Sequence, residues 1–388
     1  MSTTTTTATV PTSPRRYDLP LILVTFALVA FGLLMVYSAS AYDAAADYAD
    51  PLHFVARQSF AASVGLVALV VAARTPYRRL KKLAPALYGV AVAGLCLVWV
   101  PGLGHAANGA HRWFGVAGIN FQPAELAKLV ILIGLAAWLQ RNRADIHDPR
   151  VLGMAFAGLL PPLALILIQP DFGSTLIICM LVGVMVFLAG LRWSWILTLA
   201  TLGIGALAVI MVAEPYRRDR LTAFMDPFSH CADESYQVCQ SLVALHNGGL
   251  LGQGSGASQA KLAFLPEPHN DFIAAVVGEE YGLIGLLAVI LAFAFFAWRG
   301  FGIARRAPDG FGSLLAGTLT TMIVGQACLN LGVVMSVIPP KGLVLPFLSY
   351  GSSAMEVNLV AVGILLSISA EAVAPARAPA TAPAGVPA

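Results

Sequence analysis

The chain has 388 residues, of which 58% are hydrophobic and only 11% charged, with a formal net charge of +3. A soluble domain carries about a quarter charged residues. This composition therefore excludes a set of soluble globular domains and indicates an integral membrane protein, in which the distribution of charge says more than its sum.

Residues 1–17 read as a Thr-rich cytoplasmic tail without apolar periodicity, expected to be disordered. The apolar run that follows is too long for the h-region of a cleaved signal and has no small-residue cleavage site after it. A span needs about 20 mostly apolar residues. In chain order such segments fall at 19–39, 54–73, 82–101, 123–140, 151–168, 172–190, 194–213, 272–298, 311–336 and 345–369. Only Gln169, Pro170 and Asp171 divide the fifth from the sixth. The expected architecture is an all-α polytopic membrane protein of about ten transmembrane helices. Its membrane domain covers 18–370, and an Ala/Pro-rich tail at 371–388 is expected to be disordered and cytoplasmic.

Positive charge orients the spans. Arg15, Arg16, the cluster from Arg78 to Lys82, Arg141, Arg143, Arg150, Arg192, Arg299, Arg305 and Arg306 fall on one side. The other side holds fewer: Arg112, Arg217, Arg218, Arg220, Lys261 and Lys341. Both termini are therefore expected in the cytoplasm. The connection 214–271, between the seventh and eighth spans, is then exterior and far longer than the rest. Long connections are usually functional or disordered, and the aromatics, Gly pairs and dense polar residues here favour function. No internal repeat is evident, which counts against a transporter built from inverted repeats.

Ionisable groups in spans are costly and point to function by default. Arg57 lies near the start of the second span, where it can snorkel outward. Glu125 and Lys128 share one face of the fourth span at i, i+3, either as a self-neutralising ion pair or as a functional pair. Asp171 opens the sixth span, as an N-cap or as part of a site. Glu356, inside the last span, reads most simply as a partner in an interhelical hydrogen bond. The most informative stretch is Phe264–Gly285, FLPEPHNDFIAAVVGEEYGLIG, where a Pro-punctuated acidic loop runs into an apolar helix. Asp271 sits at the join. It is either the N-cap of the eighth span or a reactive carboxylate, and Asn270 could cap equally well. Glu279 lies two turns further, about 12 Å deeper, which would make an acidic stripe. Gly278, Gly282 and Gly285 read as small-residue packing faces. The exterior cations run against the charge bias and are candidates for binding an anion.

There is no Walker A sequence, Gly-rich dinucleotide fingerprint, metal-spaced His/Cys cluster or G-x-S-x-G elbow. Cys231 and Cys239 lie in the long exterior connection and are a disulfide candidate in an oxidising compartment. Cys96, Cys179 and Cys328 read as ordinary core residues.

Six segments in order carry a resemblance: MVYSASA (35–41), NGAHRWFGVAGINFQPAELAK (108–128), QPDFGS (169–174), YRRDRLTAFMDP (216–227), LPEPHNDFIAAVVGEE (265–280) and PPKGLVLPFLSYGSS (339–353). Together they resemble the SEDS (FtsW/RodA/SpoVE) family of bacterial cell-wall polymerases over nearly the whole chain. MVYSASA, the NDFIAA form and Lys341 before GLVLPF are more similar to its division branch than to its elongation branch. The resemblance implies a peptidoglycan glycosyltransferase of the inner membrane, acting at the division septum. Its substrate would be lipid II, an undecaprenyl-pyrophosphate disaccharide-pentapeptide. It implies Asp271 as the catalytic carboxylate, a general base whose pKa partial burial and Glu279 would raise. Arg112, Arg217, Arg220 and Lys341, or a divalent metal (Mg or Mn), would hold the pyrophosphate. Trp113 would line the substrate path, and Glu125, Lys128, Asp171 and Ser353 fall at family polar positions. It also implies a class B penicillin-binding protein of the FtsI type, with other divisome membrane proteins, as partners. Departures are Ser352, where the family pattern has Gly, and Asn270, where it has Thr. An elongation polymerase, a lipid II flippase and an inactive divisome scaffold are the alternatives.

Overall fold

The computed structural model describes residues 16–100, 102, 104–107, 110–116, 119–213, 224, 226–231, 235–339 and 342–372. Its helices are α1 (Leu19–Tyr48), α2 (His53–Arg74), α3 (Arg78–Leu97), α4 (Pro123–Arg141), α5 (Pro149–Ile168), α6 (Phe172–Leu188), α7 (Trp193–Ala213), α8 (Tyr236–Gly248), α9 (Ile273–Arg306), α10 (Gly310–Val334) and α11 (Ser352–Ala372). Eight are long and apolar enough to cross a membrane; α6 and the first part of α7 are apolar but shorter. These ten match the ten expected segments in order, and α8 is an additional helix inside the long connection. Side-chain caps define several starts: Asp18 for α1, Asp148 for α5, Asp171 for α6 and Asp309 for α10 each accept a hydrogen bond from a first-turn N–H.

The chain departs from all-helical between α3 and α4. There β1 (Gly104–Ala107), β2 (Ala110–Val116) and β3 (Ile119–Phe121) form a three-stranded antiparallel sheet in the order β1-β2-β3. Gly104 pairs with Phe114 and Phe114 with Phe121. HRWFGV has no apolar/polar alternation to mark it as a strand.

The centre of the bundle is α4, α10 and α11, whose spans are 72%, 72% and 89% buried. The other long helices bury 39% or less and turn Leu, Val, Phe and Trp side chains outward. That exposure is what a hydrocarbon environment requires. Cys96, Cys179 and Cys328 also lie on exposed faces rather than in the core. Cys231 and Cys239 form a disulfide.

Two interruptions of helix are buried, and in each, backbone groups are held by hydrogen bonds from other parts of the chain. Lipid offers no hydrogen bonds, so protein must supply them. The first is inside α9, at Gly282 (φ 65°, ψ −162°). Leu283 and Ile284, just past the break, donate to the carbonyls of Gly249 and Leu250. The carbonyls of Glu279 and Glu280, just before it, accept from Gln253 and Gly254. The chain after α8 thus docks into the break like a plug. Gly248 and Gly252 let it approach: a Cβ at either would lie about 2 Å from a carbonyl oxygen of α9 (1.9 and 2.2 Å).

The second interruption is Gly342–Gly351. The last span was expected to start at 345, but Pro346 and the flanking glycines keep this stretch out of helix, and α11 starts at Ser352. Leu343, Leu345, Phe347 and Leu348 are buried. Buried amide side chains hold its backbone. Gln58 of α2 donates to Ser349 O (3.0 Å) and accepts from Gly351 N (3.1 Å). Gln326 of α10 donates to Val344 O (3.0 Å), and Asn330, one turn on, donates to Leu343 O (2.5 Å). Below Gln326 lies the charged pair of α4. Lys128 Nζ is 2.8 Å from Glu125 Oε2 and donates to Gln326 Oε1 (3.0 Å), with Lys128 only 1% exposed. The ion-pair reading of these residues holds, and the pair also supports the segment above it.

At the opposite end of the bundle, Asp18 pairs with Arg299 (2.6 Å) and its N–H donates to Ser369 Oγ (3.3 Å). Arg78 pairs with both Asp309 (2.9 Å) and Glu371 (2.8 Å).

Two measurements check this account. Gly282→Ala should destabilise the solubilised protein by roughly 1–3 kcal/mol from backbone strain alone, with further loss because its Cβ would meet Gly252 N at 2.4 Å; a thermal melt reads it. Lys128→Met should cost about 3–5 kcal/mol by leaving Glu125 buried and uncompensated, and Lys128→Met with Glu125→Gln should recover most of that.

Candidate active site

The N-termini of α4, α6, α9 and α11 meet at one end of the bundle, around Gly342–Gly351. Gln122, just before α4, links three of them. Its N–H donates to Ser353 Oγ of α11 (2.8 Å), and its Nε2 donates to Asp171 Oδ2 of α6 (3.1 Å). Asp171 also accepts from Ser174 N (3.0 Å) and Ser174 Oγ (2.8 Å). It is thus both an N-cap and a tie to α4. Gly173 packs beneath the Gly342–Leu343 chain: a Cβ there would lie 3.1 Å from a Leu343 methyl.

Asp271 lies at the same place. The N-cap position of α9 is Phe272, which has no capping side chain. Asp271 immediately precedes it. It is half-buried. A Cβ built on Gly342 would lie 3.0 Å from Asp271 Oδ2, so the carboxylate rests against the bare Cα of a glycine. Its main-chain carbonyl accepts from Asn330 Nδ2 (2.7 Å). Asn270, the other capping candidate, instead donates to Glu267 Oε2 (2.6 Å).

His269 flanks the carboxylate. It is buried, its carbonyl accepts from Tyr350 N (2.8 Å), and its ring packs tilted against Phe54 (centroids 4.4 Å) and edge-on to Tyr350 (5.6 Å). Burial lowers its pKa from 6.5 to about 4, against a smaller opposing effect of Glu267. The imidazole is neutral at physiological pH and adds no charge to the site. The ring wall continues through Tyr48 and His53.

Arg112 and Trp113 are held by β2 at the rim, both half-buried. Arg112 donates to the carbonyls of Gln169 (3.1 Å) and Pro170 (2.6 Å), at the turn between α5 and α6. It reaches the same corner as Asp171. Trp113 pairs with His105 across the sheet. Ser353 is buried and occupied by Gln122. Arg217, Arg220 and Lys341 lie outside the described residues.

The acidic stripe does not form as expected. Glu279 Oε2 accepts from Ser258 Oγ and from Ala260 N (3.1 Å). Glu280 Oε1 accepts from Ser38 Oγ (2.6 Å) and Lys261 Nζ (2.9 Å). Both carboxylates anchor the connection that plugs α9, and Lys261 is a buried counter-ion rather than an anion-binding cation. Glu356 is half-buried and makes no interhelical hydrogen bond among the described residues.

Sequence reasoning passed over Gln58, Gln122, Gln326 and Asn330, the amides that build the site. The available signal was Gln326 and Asn330 at i, i+4 inside an apolar span, which puts two amides on one helix face. Among the described residues, no three His, Cys, Asp or Glu side chains gather to hold a metal ion.

The fold is shared with known proteins. The family model FTSW_RODA_SPOVE, described as a cell cycle protein, matches residues 19–373. A probable peptidoglycan glycosyltransferase FtsW of Geobacter metallireducens is 40% identical over 359 residues, spanning 91% of this chain and 95% of the relative. Stage V sporulation protein E of Bacillus subtilis is 37% identical over 363 residues, spanning 92% and 97%. A chain from a peptidoglycan synthase complex, whose structure concerns the coordination of polymerization and crosslinking, superposes with a TM-score of 0.76 at 29% identity, covering 92% of this chain and 98% of that one. The rod shape determining protein RodA of Thermus thermophilus gives 0.67 at 30% identity, covering 91% and 96%. On the match of sequence and fold along nearly its whole length, this chain belongs to the FtsW/RodA/SpoVE family.

Proposed function

We propose that this protein is a peptidoglycan glycosyltransferase that polymerises lipid II into glycan strands during septal wall synthesis, with Asp271 as general base. The observation that carries the reading is the placement of Asp271. Its carboxylate lies against Gly342, where the N-termini of α4, α6, α9 and α11 converge. The relatives named as FtsW glycosyltransferases support the activity.

In the reaction the acceptor sugar hydroxyl attacks the anomeric carbon of the donor. Its proton passes to the Asp271 carboxylate as the new glycosidic bond forms. The bond from the anomeric carbon to the phosphate oxygen breaks, and undecaprenyl diphosphate leaves with the electron pair. Converging helix N-termini favour the negative charge that develops there. Arg112, and Arg217, Arg220 and Lys341 from the neighbouring segments, are the cations proposed for the pyrophosphate. Trp113 and the rings around His269 form walls suited to sugar and lipid. Mg or Mn, if bound, would neutralise charge on the pyrophosphate.

The charge bias of the loops supports a site facing the exterior, with both tails in the cytoplasm. A class B penicillin-binding protein of the FtsI type is the proposed partner. The related structure of a complex coordinating polymerization and crosslinking supports that pairing.

The test is a polymerisation assay with labelled lipid II, Mg or Mn, and the partner present. Asp271→Ala and Asp271→Asn should lower glycan formation by about 10²-fold or more, with folding and partner binding retained. Normal ladders from Asp271→Ala would sink the assignment, and lipid II translocation without polymer would favour the flippase instead.

A further inference from the structure

We infer that Asn330 is the positioning residue of the reaction, setting the Asp271 carboxylate by clamping two chain segments with one amide. The inference rests on the reading of Asp271 as the base. Asn330 is 1% exposed, deep in α10. Its Nδ2 donates to Asp271 O (2.7 Å) and to Leu343 O (2.5 Å), which lie 59 and 13 positions away in the chain. One side chain therefore fixes the spacing between the segment that carries the carboxylate and the segment the carboxylate lies against.

Three observations separate this from ordinary core packing. The amide orientation is dictated, because the flipped form would set Oδ1 against two carbonyl oxygens. Asn330 Oδ1 is buried without a hydrogen-bond partner. An orphaned acceptor costs stability, and what offsets that cost is the pair of main-chain carbonyls held by the donors, Asp271 O and Leu343 O. Lastly, the clamped strand includes Gly342, whose missing Cβ makes room for Asp271 Oδ2. Releasing the clamp frees the carboxylate in the direction that Gly342 leaves open. Misplacing a catalytic group by about 1 Å is enough to cost roughly 10²-fold in rate.

The experiment measures kcat and KM for lipid II polymerisation by the protein with its partner, alongside a thermal melt. Asn330→Leu should lower kcat roughly 10- to 100-fold with KM changed by no more than about two-fold, the pattern of an interaction made in the transition state. Asn330→Gln keeps the donors on a longer stem and should recover part of the loss. A kcat at the wild-type level in Asn330→Leu would overturn the inference. So would a fall that only tracks the folded fraction and is not relieved in Asn330→Gln. If Asn330→Leu fails to fold, Gly342→Ala is read instead: its methyl pushes the carboxylate from the other side and should give the same kcat-only loss, and wild-type turnover there would refute the clamp. Asp271→Ala run in parallel separates the failures. Polymer from Asp271→Ala defeats the base assignment, whereas an inactive Asp271→Ala beside a fully active Asn330→Leu defeats the clamp alone.

Discussion

Broken helix inside an apolar bundle exposes backbone N–H and C=O groups that lipid cannot satisfy, and this constraint organises the molecule. The chain breaks helix twice at buried positions. At Gly282 the returning connection after α8 supplies both donors and acceptors. At Gly342–Gly351 the amides of Gln58, Gln326 and Asn330 do so. Neither repair is local in sequence, so each break ties distant parts of the chain together. The site lies against the second break, beside Gly342. A segment free of helix can bring main chain and a glycine surface up to a carboxylate in a way that a continuous helix, sheathed in its own side chains, cannot.

The charges inside the bundle are spent on the same purpose. Lys128 neutralises Glu125 and also hands a hydrogen bond to Gln326, which holds Val344. Glu279 and Glu280 bind the connection that fills the break in α9. A buried ion pair is weak evidence for net stability. Here the charged groups have a positional role: Glu279 and Glu280 hold an irregular connection directly, and Lys128 supports one through Gln326. Asp271 lies at the mouth and is half-buried.

Much of this was legible in the sequence because membrane spans are a strong signal. Length and hydropathy located the ten apolar helices in order, although α1 and α9 run eight or more residues past their expected ends. Asp271 stood out because charge at the edge of oil is conspicuous. What was not legible depended on direction rather than composition. Eight residues along a helix suggested that Glu279 continues the Asp271 face, but the carboxylate is taken up by Ser258 and Ala260, and the helix breaks three residues later. Hydropathy ran the last span back to residue 345, although Pro346 and the glycines keep that stretch irregular. Neutral amides carry no charge to draw the eye, so Gln58, Gln326 and Asn330 passed unnoticed even though the site is built from them.

The contact between Asp18 N–H and Ser369 Oγ has a topological consequence. Residues 351 positions apart touch, so the described chain enters and leaves the bundle at one point, and the polypeptide nearly closes into a ring. Such adjacency is the condition under which circular permutation is tolerated. The covalent start of the protein could be moved to another connection at that end, by a short linker across this junction, without shifting any residue around Asp271. The order of the spans along the chain is then a matter of synthesis and insertion, separable from the arrangement that does the chemistry.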